Sequence, residues 1–528
     1  MEAPSSRASE TASGFGAEEW LRFDLRAESE LRVEVSDEIQ SSAQVRLARG
    51  TAEALGRELA LDQTYDLRPG TRLSFFTWHG CRLEVRGMFQ VPPYVADETP
   101  APMVLNLHSV LQRQREEARR LPRNRRSSSA PGVAIVGPHD SGKLTVAATL
   151  AAYALRHLGA RLAWIDLDPG AGFGPCSRLV AVPGSLTMVS LHRPLLALED
   201  ASAFERPLCW HFGHLQSDDN RKVYLMLVEA IKQQFSAWAE QVDAKTATAA
   251  SSLDGNSDPN EPGLYNAGYI AVLPAWTDTL ESFDLLEATL ARLSPTCVVV
   301  IESERLHALL RRARDTHTDS SSRRLAELVR IPKSGGVVPR DISARRRERS
   351  MRFHTYFYGQ SRELHPHPLW VSSADLVLYR VGGRALAPIT ALPLGETFSD
   401  QDTAEIEILT ELSDELLHAV CAVSQAAEQD VLACLQTPFP SALASALAPP
   451  ERDATNETNG TNGSSTTLQP IRVGNSAVAA NLLYAPVFGF VHITAVDRYR
   501  SRLRLLAPSP GKLPSKLVHV SSDLRWIE

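Results

Sequence analysis

Short segments that alternate apolar and polar residues fill the chain from about residue 18 to residue 106. Stretches such as LRVEVS, RLSFFTW and CRLEVRG have the two-residue period of half-buried strands. Turn-forming sequences such as RPGT and HGC separate them. The pattern predicts a small antiparallel β domain over residues 18–111, preceded by a disordered leader at residues 1–17.

A second pattern begins after residue 131. The segment QRQREEARRLPRNRRSSSAPG starts as a helix and becomes basic and rich in Pro and Ser, which predicts a linker over residues 112–131. Apolar strands then alternate with helical stretches, in the order GVAIVG, LTVAATLAAYALRHLG, RLAWIDLD, GYIAVLPAW, SFDLLEATLARL and CVVVIES. This alternation is typical of a parallel, doubly wound sheet, so residues 132–355 are predicted to form an α/β domain.

The remainder of the chain, residues 356–528, mixes strands and helices and includes the strand-rich stretch VFGFVHITAVDRYRSRLRLLAPS. Two polar inserts, at residues 246–263 and at about 449–468, lack the apolar residues that a packed core requires. We expect both inserts to be disordered surface segments. The sequence therefore predicts a multi-domain α/β protein with a third domain at its carboxyl end.

Composition narrows the class of protein. The 528 residues suffice for roughly three domains, and the formal net charge of −7 gives no overall attraction to nucleic acid, although the arginines are unevenly spread. The six cysteines lie far apart with no C-x-x-C pair, which argues against a zinc site or a disulfide framework. Because no signal-like segment and no run of 18 apolar residues occurs, we expect a soluble intracellular protein without a membrane span.

The stretch GPHDSGKLT, residues 137–145, has the spacing G-x-x-x-x-G-K of a phosphate-binding loop. The bare match is a weak signal, but a predicted strand enters the loop, a predicted helix leaves it, and a second strand ends in Asp about 25 residues later. A nucleotide site is therefore predicted, and a tight strand-to-helix turn without a ligand is the alternative. The candidate binding residues are Gly137, Asp140, Ser141, Gly142, Lys143, Leu144 and Thr145.

One position of the loop departs from the pattern. Leu144 stands where Ser or Thr normally places a hydroxyl on Mg²⁺, and Thr145 is no simple substitute because one step along a helix turns a side chain by about 100°. In the strand WIDLD, Asp168 is predicted to bind metal or to accept a proton, whereas Asp166 is predicted to hydrogen-bond within the sheet. Asp168 and, despite its different direction on the helix, Thr145 are the candidate metal ligands.

Several stretches together resemble one family. They are SELRVEV, FFTWHGC, GPHDSGK, LDPG, PLCWHFG, KSGGVV followed by YFYG, GFVHITAVD and SSDLRW. They are similar to those of the polyribonucleotide 5'-hydroxyl kinases that also serve as subunits of the pre-mRNA cleavage and polyadenylation machinery. A sister branch, the ribosomal-RNA-processing polynucleotide kinases, shares the loop but is less similar in FFTWHGC and KSGGVV.

The resemblance implies an amino-terminal β-sandwich, a central P-loop kinase-like domain and a small carboxyl-terminal α/β domain. It also implies ATP and Mg²⁺ as cofactors, RNA and other cleavage-factor subunits as partners, and a nuclear location, which the basic stretch RRLPRNRR supports weakly. In this family the adenine is gripped by a Glu and a basic residue, which correspond to Glu30 and Arg72. Arg72 replaces a common lysine, and a solvated strand end is the alternative for both positions.

The resemblance further implies an RNA clasp and a lid over the phosphates. Trp276 matches the clasp tryptophan on which a terminal base stacks, with a buried core position as the alternative, because LPA replaces the usual small polar residues before it. The lid corresponds to RDISARRRERSMRFHT, in which Arg349 and Arg352 align best with the family's lid arginines. They would stabilise the transferring phosphoryl group or hold the RNA backbone, unless the segment is a solvated basic helix.

Three departures fall on catalytic features: Leu144, the altered clasp, and Ala171, which replaces the Gln of the family pattern L-D-x-G-Q. We therefore expect a protein that keeps ATP as a structural ligand and acts as a scaffold in pre-mRNA 3'-end cleavage. The rival is an active RNA 5'-hydroxyl kinase with a role in tRNA splicing, and an unrelated P-loop function is the third reading. If the kinase is active, its catalytic residues are Lys143, Asp168, Arg349 and Arg352.

Overall fold

The computed structural model describes residues 19–36, 42–122, 129–157, 159–170, 181–193, 204–251, 265–316, 326–359, 362–382, 406–427, 471–473 and 477–527. The predicted leader, the insert at 449–468 and Ala171 therefore lie outside the described residues. Within the described ranges the chain forms an amino-terminal pair of sheets, a central sheet between helices, and a carboxyl-terminal sheet. The predicted multi-domain architecture is confirmed.

The amino-terminal part is an antiparallel β-sandwich, as predicted. One sheet has the order β1-β8-β3-β6 and the other has the order β5-β4-β7-β2-β9. Inward-facing apolar residues of both sheets, such as Leu31, Leu47 and Leu83, form one core because alternate residues of each strand point between the sheets. The strands are β1 Leu21–Leu25, β2 Ser29–Val35, β3 Ala43–Gly50, β4 Glu53–Ala54, β5 Arg57–Glu58, β6 Thr64–Leu67, β7 Arg72–Thr77, β8 Cys81–Gly87 and β9 Phe89–Ala96.

Helix α1, Ala101–Arg120, connects the sandwich to the central sheet. It occupies the first part of the range that the sequence predicts as a linker. Leu111, Arg115 and Ala118 are buried against the central domain, so this part of the chain is a packed helix. The Arg115 Nε donates a hydrogen bond to the Ala267 carbonyl at 2.9 Å. The arginines of this helix therefore include one that is packed, Arg115, as well as exposed ones such as Arg113 and Arg120.

The central domain is a seven-stranded sheet of order β13-β12-β11-β14-β10-β15-β16. Five neighbouring strands run parallel, as the sequence predicts: β11, β14, β10, β15 and β16. Strands β12 and β13 pair antiparallel at one end of the sheet. The parallel strands read as unbroken apolar runs because helices cover both of their faces. The strands are β10 Gly132–Gly137, β11 Ala160–Asp166, β12 Ser185–Leu191, β13 Phe204–His211, β14 Tyr265–Ala275, β15 Cys297–Ile301 and β16 Glu327–Ile331.

Helices on the two faces bury this sheet. Helix α2 ends at Leu155, one residue before Arg156, and Gly159 has a left-handed φ of 80° in the turn after it. Helix α3 continues through residue 251, so the first residues of the predicted polar insert are helical. The helices are α2 Lys143–Leu155, α3 Arg221–Ser251, α4 Leu280–Leu293, α5 Glu304–Thr316 and α6 Ile342–Tyr358.

The carboxyl-terminal part is dominated by an eight-stranded sheet of order β17-β23-β22-β20-β24-β18-β19-β21. One face holds its own apolar core, and the other packs against α6 and the central strand β13. The strands are β17 His367–Ser372, β18 Val377–Val381, β19 Ile406–Ile408, β20 Ala419–Ser424, β21 Ile471–Val473, β22 Val487–Asp497, β23 Arg502–Ala507 and β24 Leu517–Arg525, and the helix is α7 Ala477–Tyr484. Among the helices of the described residues, none has the length and apolar character of a membrane span.

Candidate functional site

The phosphate loop joins β10 to α2 and has the backbone of a tight turn. Gly142 precedes the helix with a left-handed φ of 89°, and Asp140 also has a positive φ of 50°. A side chain at Gly142 would be strained by that φ and would meet the Val337 Cγ2 atom at 3.3 Å. The Ser141 hydroxyl donates to the Pro138 carbonyl at 2.9 Å, which closes the turn. The loop therefore points the start of α2, the positive end of its dipole, into the space above β10.

Lys143 is the first residue of α2 and is buried in the loop. Its ammonium group donates to the carbonyls of Gly137 at 3.2 Å and Pro138 at 3.0 Å. Burial lowers the pKa of Lys143, against the opposing charges of Asp168 and Asp140. The cation is thus held at the mouth of the loop, where phosphate oxygens would satisfy it better than two neutral carbonyls do.

Leu144 turns toward the apolar core that α2 and β10 share, and it packs there as a partly buried side chain. Thr145, the next residue, is exposed. Where a metal-binding loop would place a hydroxyl, this protein therefore places a methyl-bearing side chain in contact with apolar neighbours. In the part of the chain that the structure describes, no three His, Cys, Asp or Glu side chains gather as a protein-only metal site would require.

Two carboxylates stand at the end of β11, beside the loop. The Asp166 Oδ1 atom accepts the Asp168 N–H at 3.1 Å, so Asp166 hydrogen-bonds within the strand end as the sequence predicts. Burial, together with the nearby Asp168 charge, raises the pKa of Asp166 to about 7. The Asp168 Oδ1 atom accepts the Gly170 N–H at 3.1 Å, and its side chain remains part of the adjoining pocket.

A small pocket separates these carboxylates from the lid helix α6. Ser185 and Thr187 of β12 line it together with Arg352, whose side chain is 5% exposed. The charge of Arg352 acts on Asp166 and lowers its pKa, opposing the larger effect of burial. The structure thus brings the predicted lid residue Arg352 to the carboxylate strand.

Arg349, the other predicted lid residue, is only partly buried. Burial and the neighbouring Arg346 and Arg345 charges lower its pKa. The carboxylate of Glu348 acts in the opposite direction but more weakly than either of these two arginines. Arg349 lies one turn before Arg352 on α6 and one turn after Arg345, whose side chain contacts the phosphate loop. A guanidinium in such surroundings is suited to an anionic ligand.

The phosphate loop and the lid are joined directly through Asp140. The Asp140 Oδ2 atom accepts the Arg340 N–H at 2.9 Å and the Arg345 Nη2–H at 2.8 Å. Burial opposes ionisation of Asp140, but these hydrogen bonds outweigh it and lower the pKa of the carboxyl group. Arg345 lies in the predicted lid segment, yet its partner is 205 residues away in the sequence and no local pattern indicates the pairing.

Glu30 is buried in β2 and its carboxylate is surrounded by donors. It accepts hydrogen bonds from the Arg32 Nε at 2.6 Å, the Thr99 hydroxyl at 2.8 Å and the Ser334 hydroxyl at 3.4 Å. The Arg32 side chain also lies against Gly335 and Gly336 of the KSGGVV segment, where any side chain would meet it within 3 Å. Sequence reasoning missed Arg32, because an arginine alternating with apolar residues is ordinarily a solvated strand position.

Arg72, the second predicted adenine contact, lies elsewhere on the same sheet. Its Nε donates to the Glu34 carboxylate at 2.9 Å, and the strand register pairs Glu34 with Arg72 but Glu30 with Phe76. The separation of four residues along the strand corresponds to roughly 13 Å. The structure therefore does not bring the side chains of Glu30 and Arg72 together, and an adenine contact by Arg72 stays a prediction.

Trp276 follows the last residue of β14, and its backbone N–H donates to the Gly137 carbonyl at 3.0 Å. The side chain is 8% exposed and lines a second small pocket with Tyr224 and Asp218. Its indole N–H has no hydrogen-bond partner among the described residues. The tryptophan is thus next to the phosphate loop, as an RNA clasp requires, but it is largely buried, as a core residue would be. The structure does not decide between these two alternatives.

A phosphate loop entering a helix, a carboxylate strand beside it and an arginine-bearing lid above it define a P-loop protein of the kinase type. Family models match three ranges: the N-terminal beta-sandwich domain of polyadenylation factor at 24–118, the mRNA cleavage and polyadenylation factor CLP1 P-loop at 137–249 and 262–359, and the pre-mRNA cleavage complex II protein Clp1 at 452–528. The chain belongs to the Clp1 family, and the resemblance noted in its sequence is confirmed.

Relatives extend the match over nearly the whole chain. A protein CLP1 homolog of Arabidopsis thaliana is 30% identical over 97% of this chain and 96% of its own length. The polyribonucleotide 5'-hydroxyl-kinase Clp1 of Danio rerio is 29% identical over 98% of this chain and 96% of its own. A solved structure of wild-type Clp1p in complex with Pcf11p covers 97% of this chain and 99% of its own, with a TM-score of 0.65 and 20% identity. This last similarity shows a shared fold.

Proposed function

We propose that this protein is an ATP-binding subunit of the pre-mRNA 3'-end cleavage and polyadenylation machinery, in the nucleus, and that it holds its nucleotide as a structural ligand. Family membership supports the role in mRNA processing. The loop geometry supports nucleotide binding, because Gly142 holds the left-handed turn before α2 and the buried Lys143 lies directly after it, as in a loop that binds a polyanion. A ligand that binds only the folded state stabilises it by mass action, whether or not it is hydrolysed.

The observation that carries the structural role is the packing of Leu144. Its side chain fills apolar space beneath the loop, at the position from which a hydroxyl would bind Mg²⁺. A metal at this site would depend on Asp168, with waters and the phosphates themselves completing the coordination. Lys143 and the loop amides would hold the β and γ phosphates in either case. The residues therefore fit ATP well and fit a catalytic Mg²⁺ poorly.

A protein partner belongs to this proposal. The solved relative is a complex with Pcf11p, and we infer that this chain also binds another cleavage-factor subunit. RNA is the second proposed partner, approaching the phosphate site between α6 and the Trp276 pocket. Trp276 and the lid residues Arg349 and Arg352 stay the proposed RNA contacts.

An active RNA 5'-hydroxyl kinase is the second candidate function. The observation that favours it is Arg352, which is buried beside the Asp166 and Asp168 carboxylates and could stabilise charge on a transferring phosphoryl group. The Danio rerio relative is called a polyribonucleotide 5'-hydroxyl-kinase. Under this alternative the γ-phosphate of ATP passes to an RNA 5' end, with a role in tRNA splicing.

Phosphate transfer separates the two functions. The purified full chain is incubated with γ-labelled ATP, Mg²⁺ and a 5'-hydroxyl RNA, and label on the RNA is counted. We expect little or no transfer by the natural protein and a gain of at least tenfold in Leu144→Ser, because the variant restores the hydroxyl ligand. Leu144→Ala is the matched control, since it removes the same packing without supplying a hydroxyl. Robust transfer by the natural protein that Lys143→Ala abolishes would establish the kinase and refute the structural role.

Retention of nucleotide tests the structural role itself. We expect ATP to co-purify with the protein after gentle isolation and to be lost in Lys143→Ala, together with part of the thermal stability. A natural protein that is isolated empty and whose unfolding temperature does not rise with added ATP would contradict the proposal. Association with a cleavage-factor partner is measured on the same samples.

A further inference from the structure

The carboxyl-terminal sheet displays a tryptophan and two arginines side by side on one open face. Trp370 lies in the edge strand β17 and is 54% exposed. The antiparallel register with β23 pairs Trp370 with Arg504 and Ser372 with Arg502. Directly opposed residues of neighbouring strands share a face, with Cβ atoms about 5 Å apart. The indole and the two guanidinium groups are therefore immediate neighbours, and we call this surface the Trp370 face.

The packing of the intervening residues shows that this face is turned away from the sheet's own core. Leu369 and Val371 of β17 pack against that core, as do Leu503 and Leu505 of β23. Because side chains alternate along a strand, Trp370, Arg502 and Arg504 point to the opposite side. On that side Leu506 is buried with the lid helix α6, so the Trp370 face continues outward from the sheet surface on which the lid rests.

The charge of this region contrasts with the charge of the chain. Residues 487–516 contain six Lys and Arg residues and one acidic residue, Asp497, whereas the whole chain has a formal charge of −7. At the tip of the β22–β23 hairpin Tyr499 is fully exposed, between Arg498 and Arg500. Arg498 is paired with Asp414 at 2.7 Å. Arg500, Arg502 and Arg504 all have exposed side chains.

Exposed aromatic rings flanked by guanidinium groups suit one class of ligand. Unpaired bases stack on aromatic side chains of a sheet surface, and arginines contact the phosphates between them. We propose that the Trp370 face binds single-stranded RNA, with a base stacked on Trp370, phosphates on Arg502 and Arg504, and a further base at Tyr499. This site is separate from the RNA contacts proposed at the phosphate loop and does not depend on nucleotide binding.

Charge and composition favour RNA over a protein partner here. A protein interface of this size has an apolar centre and few charges, whereas the centre of the Trp370 face is one ring beside two cations. Asp497 lies directly opposite Arg502 and is the one acidic residue of residues 487–516, so Arg504 is the cation with no carboxylate opposite it in this register. Single-stranded RNA is complementary to the ring and the cations together, because its bases stack on aromatic side chains and its phosphates pair with arginines. The exposed edge of β17 is short, six residues, and begins with a His-Pro pair, which makes it a poor template for an added strand.

Fluorescence anisotropy of a labelled RNA tests the site in the full chain without ATP. The probe is a 5'-phosphorylated 12-nucleotide oligouridylate, which presents no 5'-hydroxyl to the kinase-type site. We expect Trp370→Ala to weaken binding about tenfold and Trp370→Phe to retain most of it, because stacking needs only an aromatic face. Arg502→Ala/Arg504→Ala should weaken binding and reduce the slope of log Kd against log salt by about 1.4, that is, about 0.7 for each phosphate contact.

The matched control is Arg311→Ala/Arg312→Ala, which removes the same charge from exposed positions of α5. Helix α5 lies next to β16, at the end of the central sheet opposite to the one that meets the carboxyl-terminal sheet. We expect this variant to bind the RNA within twofold of the natural protein. Ultraviolet cross-linking followed by mass spectrometry should place uridine on the peptide that contains Trp370.

Several outcomes would overturn the proposal. Binding within twofold in both Trp370→Ala and the double-arginine variant would show that RNA does not use this face. Loss of a protein partner in these variants with unchanged RNA affinity would make the face a protein interface. If Trp370→Ala lowers the unfolding temperature, Arg504→Glu and Arg504→Lys replace it, and equal affinity of those two would reject the RNA site.

Discussion

Glu30 illustrates, at the scale of single residues, how a buried carboxylate can join two domains. Its oxygens accept from Arg32 and Thr99 of the amino-terminal part and from Ser334 of the segment before the lid. The side chains of Glu30 and Arg32 are 5% and 11% exposed, so each charge depends on the other. The family resemblance indicates Glu30 as an adenine contact, and the structure adds that its carboxylate already has three protein donors.

Removal of Arg32 should therefore leave an uncompensated charge. We expect Arg32→Ala to lower the free energy of unfolding by about 3 kcal/mol, since breaking one side of a buried pair costs more than the pair contributes. The double variant Glu30→Gln/Arg32→Ala should lose less free energy of unfolding than the two single variants together, by at least about 1 kcal/mol. Urea unfolding of the four proteins gives this coupling directly.

A surface pair in the same sandwich serves as the control. Arg82 and Asp24 are joined at 2.7 Å but both side chains are well exposed. Arg82→Ala should leave the unfolding curve near that of the natural protein, because water replaces the lost partner. Equal effects of Arg82→Ala and Arg32→Ala would contradict the role assigned to the buried pair.

Local motifs explain why some site residues were predictable. Gly142, Lys143 and Asp168 follow from spacing within a strand-loop-helix unit, and the structure places all three around one loop. Arg32 and Arg345 were not predictable as contacts, because their partners are set by the packing of distant segments. The exposed Trp370 also had no signal in the sequence, since its exposure follows from the position of β17 at a sheet edge.

At the scale of elements, the lid helix α6 combines two functions in one basic segment. Its first half carries Arg345, which contacts the phosphate loop, and its second half buries Phe353, Tyr356 and Phe357 against the carboxyl-terminal sheet. The cluster of arginines in the sequence predicted a lid or a solvated helix. Burial of Arg352 excludes a wholly solvated helix, and it follows from tertiary contacts that periodicity alone does not reveal.

The contact between Asp140 and the lid should hold α6 over the loop. We expect Asp140→Asn, studied without nucleotide, to speed hydrogen exchange in the peptide over residues 338–348 by roughly tenfold, because the lost ionic hydrogen bonds contribute about 1.5 kcal/mol to local stability. Mass spectrometry of deuterium uptake measures the effect. Glu304→Gln, which removes an exposed partner of Arg330, is the control and should leave this peptide unchanged. Unchanged uptake in Asp140→Asn would mean that other contacts hold the lid.

At the scale of the whole molecule, the central and carboxyl-terminal sheets share packed surfaces. Tyr379, Val381 and Leu517 of the carboxyl-terminal sheet belong to the same apolar cluster as the central sheet. The sequence predicted three domains from changes in pattern, and it predicted the parallel order of the central strands from their apolar runs. It could not predict this continuity, because the contacts join residues far apart in the sequence, such as Trp210 and Tyr484, which are 274 positions apart.

Buried histidines at that junction make it sensitive to acid. His211 of β13 packs against His519 of β24 with ring centroids 4.7 Å apart, and against Phe490 of β22 at 5.6 Å. Burial, together with the nearby charge of His214, lowers the pKa of His211 to about 3. Burial also lowers the pKa of His519, with additional effects of His211, His214 and Arg380. Burial and the neighbouring charges therefore favour the neutral form of both imidazoles in the folded state.

The resulting pH dependence has a definite sign. An unfolded histidine takes up a proton near pH 6.5, whereas folded His211 does so only near pH 3, so stability is fully present above pH 6.5 and falls as the pH drops from there toward 3. At pH 5.5 this single group lowers the free energy of unfolding by about 1.4 kcal/mol relative to pH 7.5. His211→Phe should reduce the loss by that amount in urea unfolding at the two pH values. An identical loss in the variant would assign the acid sensitivity to other groups.

The lid helix also has a mechanical consequence. Phe357 stacks on Trp526 with ring planes within 5° of parallel, and Arg345, twelve residues earlier, contacts Asp140 at 2.8 Å. These two ends are about 18 Å apart along a rigid rod, so a tilt of about 10° at the Phe357 end displaces Arg345 by roughly 3 Å. Such a small rotation is enough to break the contact with Asp140. The helix is thus a single rod that joins the carboxyl-terminal sheet at its Phe357 end to the phosphate loop at its Arg345 end, so the position of that sheet sets the geometry of the loop contact.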